Sequence, residues 1–175
     1  MKAFWRIWLW LALVGGLLLG GCARQTPPDR LGTEDFRAEL RGEFADGGTE
    51  FVALIEVREA EGGRAVKLTY LAPSALAGCE LELLWQNGEA VGRVELRQNG
   101  IRAQLDAAAL PGLLRPVRAL LEEGVQKSLL REGEGWRVEF ENGRVTILAS
   151  DGTPIDVACP EISFRVVCFE PHGAQ

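Results

Sequence analysis

Hydrophobic and polar residues alternate with period two along most of this chain, the pattern of a sheet buried on one face. Phe36, Ala38, Leu40 and Phe44 interleave with Arg37, Glu39, Arg41 and Glu43. Phe51 to Val57 is apolar on both faces, as a central strand is. Val66, Leu68 and Tyr70 oppose Lys67 and Thr69, and Cys79, Leu81, Leu83 and Trp85 oppose Glu80, Glu82 and Gln86. Val94 and Leu96 alternate with Arg93, Glu95 and Arg97, and Ile101, Ala103 and Leu105 with Arg102, Gln104 and Asp106. The rhythm resumes at Trp136, Val138 and Phe140. It continues through Val145, Ile147 and Ala149, then Ile155 and Val157, then Ile162, Phe164, Val166 and Cys168. Asn87-Gly88, Asn99-Gly100, Asn142-Gly143 and Asp151-Gly152 separate these runs. Such pairs mark tight hairpins, because both central residues of a type I′ turn need positive φ. The expectation is an antiparallel meander of about nine or ten strands.

One segment leaves this rhythm. Between Leu113 and Leu130 the apolar residues Val117, Leu121, Val125 and Leu129 stand four apart, flanked by Leu114 and Leu120. Pro116 suits a first helical turn, Glu123 and Lys127 make an i,i+4 pair, and Gly133 and Gly135 supply a stop. The spacing predicts one amphipathic helix of about four turns.

The fold class is therefore α+β and mostly β: a curled antiparallel sheet, or half-barrel, over one main helix. Ten strands about 4.8 Å apart span nearly 50 Å, whereas a helix is about 10–12 Å across and eighteen residues of it run roughly 27 Å. One helix cannot cover that face. Either the curled sheet fills its interior with its own side chains, or part of the face stays open as a groove for an apolar ligand. Strand and helix parity nominates Phe44, Leu54, Leu68, Leu83, Trp85, Val94, Leu105, Leu121, Val125, Trp136, Phe140 and Phe164 as inward residues that line such a groove.

The N-terminus carries a different pattern. Lys2 and Arg6 precede an uncharged stretch, Ile7 to Leu19, that is shorter than the about 20 residues a membrane span needs. It ends in Leu19-Gly20-Gly21-Cys22. A basic start, a short apolar core and small residues form a signal peptide, and the junction resembles the lipobox of bacterial lipoproteins. That resemblance implies cleavage before Cys22 and a diacylglyceryl group on its thiol, holding the protein on the extracytoplasmic face of a cell membrane. Two acyl chains suffice for stable anchoring where one does not. The expected organisation is signal peptide 1–21, lipidated tether 22–32, one domain 33–170 and a tail 171–175.

Charge narrows the partners. Residues 22–175 carry 17 Lys+Arg against 25 Asp+Glu, a net −8, because the leader removes Lys2 and Arg6 and no acid. An acidic domain gains nothing from phosphate backbones, so no nucleic-acid partner is expected.

Catalytic chemistry finds little footing. His172, the only histidine, is the fourth residue from the end of the chain, which leaves no serine or cysteine triad except through the tail. Cys79, Cys159 and Cys168 share the parity of apolar neighbours and read as buried small hydrophobes. Cys159 with Cys168, or Cys79 with either, remains an open pairing. Three cysteines without a close-spaced fourth ligand do not form a zinc site. Glu39 between Arg37 and Arg41 is typical of the carboxylates, which sit on polar strand faces rather than in acid/base pairs. No enzymatic activity and no cofactor are expected.

The one-sided strands, the mid-chain helix, the lipobox and the passage Tyr70-Leu71-Ala72-Pro73-Ser74-Ala75-Leu76-Ala77-Gly78 together resemble the bacterial lipoprotein-carrier and receptor superfamily (LolA/LolB/LppX-type). The resemblance spans residues 33–170. It implies a hydrophobic groove for acyl chains or a lipidated protein, with no chemistry. It extends to germination lipoproteins of spore-forming bacteria, which implies the alternative of an adaptor that binds an envelope or spore-cortex enzyme.

Overall fold

The computed structural model describes residues 26–27 and 30–172. The leader and Cys22 lie outside the described residues. Eleven strands form one antiparallel sheet: β1 (Phe36–Phe44), β2 (Thr49–Ala60), β3 (Gly63–Ala72), β4 (Glu80–Gln86), β5 (Glu89–Gln98), β6 (Ile101–Asp106), β7 (Gln126–Glu132), β8 (Gly135–Phe140), β9 (Val145–Leu148), β10 (Pro154–Cys159) and β11 (Ile162–Pro171). Their order is β6-β5-β4-β3-β2-β1-β11-β10-β9-β8-β7. Two meanders are thus joined at a single seam, β1 against β11. The sheet curls without closing, and β6 and β7 are its free edges. A one-turn helix, α1 (Arg30–Thr33), precedes it, and α2 (Arg115–Leu121) follows a 3-10 turn at Ala107–Ala109. α1 begins inside the segment expected to be tether, 22–32, and its Leu31 packs on the core.

Alternation does what it should in the first meander. Phe36, Ala38, Leu40 and Phe44 of β1 are buried, as are Phe51, Ala53, Ile55 and Val57 of β2, Val66, Leu68 and Tyr70 of β3, and Leu81, Leu83 and Trp85 of β4. Registers such as Ile55↔Leu68 and Leu68↔Leu81 stack these rows across the sheet. At about 25 cal/mol per Å² of apolar area removed from water, this concave face is the main stabilising feature. The convex face carries charge pairs instead, Lys67–Glu80 at 3.3 Å and Arg97–Glu95 at 2.9 Å among them. Exposed pairs of this kind add little to stability. Asn87-Gly88 and Asn99-Gly100 have positive φ at all four residues, which only Gly and Asn adopt cheaply, so β4–β5 and β5–β6 turn tightly.

Several sequence expectations are corrected. The predicted helix is much shorter, ending at Leu121, and its second half is strand β7, which pairs with β8 at Leu129↔Val138. Stripe spacing cannot tell a helix from a helix followed by a strand when both are apolar. Val125 accordingly lies in the connection and is 66% exposed, and Lys127 belongs to β7 rather than to a helical pair with Glu123. Leu54 sits between the buried Ala53 and Ile55, which puts it on the convex face opposite Glu39 and Thr69. In β9 the parity is inverted: Arg144, Thr146 and Leu148 turn inward while Val145 and Ile147 are only half-buried. Finally, Cys168 is exposed. The β1–β11 register slips so that Glu39 faces Cys168 but Leu40 faces Val166. The extra residue, Val167, moves Cys168 outward and brings Phe169 in to stack on Phe36 with centroids 4.9 Å apart.

Candidate functional site

The short helix α2 lies on the concave face, where Leu114, Val117, Ala119 and Leu120 are buried. Three polar contacts fix it. Arg115 donates both terminal nitrogens to Asp46 in the β1–β2 turn, at 2.6 and 2.8 Å. That contact holds the Asp46 carboxyl below the usual carboxylate range. The Tyr70 hydroxyl, deep in β3, donates to the Leu113 carbonyl at 2.8 Å. At the other end, Arg144 Nη1 donates to the carbonyls of Ala119 and Glu122. Carbonyls of a last helical turn have no intrahelical partner, so this arginine satisfies groups that would otherwise need water.

Beyond Leu121 the described residues do not fill the interior. A cavity of about 740 Å³ begins where the helix stops. Leu120, Leu121, Glu122, Glu123 and Gly124 form one wall. The β2–β3 and β4–β5 turns with Trp85 form the second, Val138, Phe140, Arg144, Thr146 and Leu148 at β8 and β9 form the third, and Thr26, Pro27, Arg30 and Leu31 line the remaining side. The space therefore lies between the two meanders, at the end of the half-barrel that α2 does not reach. Its volume falls within the ~300–1,000 Å³ typical of small-molecule sites. The walls mix apolar and charged residues: Trp85 is only 4% exposed and Phe140 and Leu121 are half-buried, while Arg30, Arg64, Glu122, Glu123 and Arg144 also line the space. A second, more open cleft of about 680 Å³ lies over β1, β2, β10 and β11, where Arg41, Glu43, Glu50, Asp156 and Arg165 stand beside Phe51, Val157 and Phe164.

Of the twelve residues nominated from sequence, Trp85, Leu121 and Phe140 meet at this cavity. Phe44, Leu68, Leu83, Val94 and Phe164 are packed in the core, which they help to fill. Leu105 and Trp136 are half-buried near the two sheet edges. Leu54 and Val125 face elsewhere, as described above. The filled core and the open groove, alternatives on the sequence pattern, thus occupy different parts of one interior.

Sequence reasoning missed Arg144 and Gly124. Arg144 is 5% exposed, and its guanidinium carbon stands 3.8 Å from the centre of the Phe140 ring. Its backbone N–H donates to the Asn142 side chain at 3.1 Å, which shapes the β8–β9 turn. Burial lowers its pKa, with the Glu122 charge opposing. A guanidinium nonetheless stays protonated in proteins. Gly124 packs so closely that a Cβ there would stand 2.9 Å from the Phe140 ring. The only available signal was a glycine between a helical stripe and a strand, which marks a chain reversal.

Among the described residues, no His, Cys, Asp and Glu cluster as a metal site and no helix is long and apolar enough to cross a membrane. His172 is exposed, and its backbone N–H donates to the Asp35 carbonyl at 2.7 Å. The three thiols are free: Cys79 buried, Cys159 intermediate and Cys168 exposed.

No family model and no curated protein matches the chain. Among solved structures it is similar to an uncharacterized conserved protein from Thermus thermophilus, 12% identical over 83% of each chain, with TM-score 0.49. It is also similar to a putative outer membrane lipoprotein-sorting protein domain from Vibrio parahaemolyticus, 6% identical over 81% of this chain and 87% of that one, with TM-score 0.47. A LolA superfamily protein from Nitrosomonas europaea is 8% identical over 81% of this chain and 88% of that one, with TM-score 0.39.

Proposed function

We propose that this protein is a membrane-anchored, non-catalytic lipoprotein that holds an acyl chain, free or attached to a lipid or lipoprotein, in the cavity beyond α2. The observation that carries this reading is a space of about 740 Å³, lined in part by Trp85, Leu120, Leu121, Val138, Phe140 and Leu148, left open beside a packed core. Burying each methylene there is worth about 0.8 kcal/mol, so a sixteen-carbon chain placed even partly inside gains several kcal/mol. Anchoring through Cys22, on the extracytoplasmic face of the cell membrane, keeps such a site within reach of a bilayer.

The test is direct. Residues 23–175, expressed without the leader and gel-filtered in detergent-free buffer, are extracted with organic solvent and the extract is weighed by mass spectrometry. About one fatty acid or lipid per protein supports the carrier reading, and a clean extract opposes it. A second reading rests on the free edges: Ile101 of β6 is 68% exposed and Leu130 of β7 is 56% exposed. An unpaired, apolar edge strand can add a strand from another protein. An adaptor of this kind, docking an envelope or spore-cortex enzyme, would show a clean extract together with a partner retained by the sheet edge.

A further inference from the structure

Arg144 is a buried cation without a carboxylate partner. Its Nη1 is used on the end of α2, while Nε is buried with no hydrogen-bond partner, and no hydrogen bond is formed by Nη2 among the described residues. Glu122, whose charge it feels, is exposed and makes no ion pair with it. Leaving a buried charged donor unsatisfied is costly. Nη2 is left to donate to a carboxylate or phosphate, a charge-assisted hydrogen bond roughly twice as strong as a neutral one. Nε itself is covered by protein, so the atom of the guanidinium within a ligand's reach is Nη2; a side chain at position 124 would stand 3.5 Å from it, and glycine there keeps it clear on this side. The other two arginines of the cavity wall are committed elsewhere. Arg30 pairs with Glu34 and Asp151. Arg64 donates to the carbonyls of Leu31 and Glu34 and stands over the Phe36 ring.

We infer that Arg144 receives the anionic end of the cavity's ligand, so that the preferred occupant is an acyl chain ending in a carboxylate or phosphate rather than a neutral lipid. This rests on the acyl-binding reading above and names the ligand class for the same site. The apolar residues of the walls supply the burial and Arg144 supplies the choice. The inverted parity at the start of β9, which puts Arg144 and Thr146 on the inner face, is the local structure that brings a buried cation to the cavity beside Val138, Phe140 and Leu148.

The experiment uses the full-length chain in membranes. A palmitate analogue with a diazirine on its tail and an alkyne for detection is photocrosslinked, and the labelled residues are mapped. Palmitate, palmitoyl lysophosphatidic acid and methyl palmitate then compete for labelling. The expected result is labelling of the cavity wall, displaced by at least one anionic competitor at about tenfold lower concentration than by methyl palmitate, a difference of about 1.4 kcal/mol. The stronger of the two anions identifies carboxylate or phosphate as the group recognised. Arg144→Met should abolish the preference while methyl palmitate still competes, and Arg144→Lys should retain part of it. Equal displacement by all three in the native chain overturns the inference and leaves the acyl-binding reading standing. This comparison needs no variant, so it holds even if Arg144→Met disturbs the helix end. Absence of any labelling at the cavity overturns both.

Discussion

The Tyr70 hydroxyl donates to the Leu113 carbonyl at 2.8 Å across 43 positions of sequence. Together with Arg115–Asp46 it ties the first meander to the entry of α2, and through α2 to the wall of the cavity. Tyr70 is 0% exposed and is the only tyrosine in the chain.

That bond gives the first prediction. Tyr70→Phe leaves the Leu113 carbonyl without its donor and should cost about 1–3 kcal/mol in urea unfolding. Burial pushes the Tyr70 pKa well above its ordinary 10.0. The folded state therefore keeps a proton that the unfolded state loses. This stability is fully present below pH 10 and declines as pH rises above it. Phenolate absorbance near 295 nm should not appear on raising pH until the protein unfolds. Tyr70→Phe should show a smaller loss of stability between pH 9 and 11 than the native chain. A phenolate signal from folded protein near pH 10 would contradict the placement of Tyr70.

The cysteines give the second. Cys168 should be alkylated in the folded protein, and faster as pH rises, because partial desolvation and its hydrogen bond to Glu170 push its thiol pKa up. Cys79, 1% exposed, should react only after denaturation. Mass spectrometry of iodoacetamide-treated protein distinguishes one labelled thiol from several. Labelling of Cys79 at the rate of Cys168 would show that the β4 wall is open.

Much of this fold was legible in the sequence, for a physical reason. In β1 to β4 one face is buried, so burial imposes period two on residue choice, and Asn87-Gly88 and Asn99-Gly100 mark hairpins with positive φ at both residues, whereas at Asn142-Gly143 only the glycine has it. The failures fall where a second constraint competes. The β7 segment has helical spacing, yet Arg144 takes the carbonyls that end α2 at Leu121 and the chain reverses at Gly124. Val167 inserts one residue that no local pattern announces, which is why parity alone puts Cys168 on the wrong face. The inward position of Arg144 was hidden because Val145 and Ile147 look like the buried row of β9. At the cavity, apolar walls such as Trp85 and Phe140 were readable from parity. The cavity itself was not, since it depends on where the helix ends.

The seam supplies the third prediction. Gly42 of β1 faces Phe164 of β11, and a Cβ there would collide with the Ser163 carbonyl and the Phe164 side chain. β1–β11 is the one strand pairing that joins the two meanders. Gly42→Ala should destabilise by about 1–3 kcal/mol, as overpacking does, and Gly42→Val by more. Calorimetry should show the loss. An unchanged melting temperature for both variants would mean that the seam is not packed as described.

Cys22 carries the fourth. Cys22→Ser should leave an unprocessed or soluble form, and globomycin should block maturation of the native chain. Gel mobility and membrane fractionation read both. Normal processing and retention of the variant would remove the lipoprotein assignment.

The cavity itself is tested most directly by titrating residues 23–175 with a fluorescent sixteen-carbon acyl probe, beside the variant Leu121→Arg. Leu121 lines the cavity and is half-buried, so an arginine there can place its charge in the space without entering the packed core. Circular dichroism and melting temperature confirm that the variant folds. The account predicts saturable binding of about one probe per protein, weakened at least about tenfold, or by about 1.4 kcal/mol or more, in Leu121→Arg. Absence of saturable binding by the native domain, or undiminished binding by a folded Leu121→Arg, would contradict it.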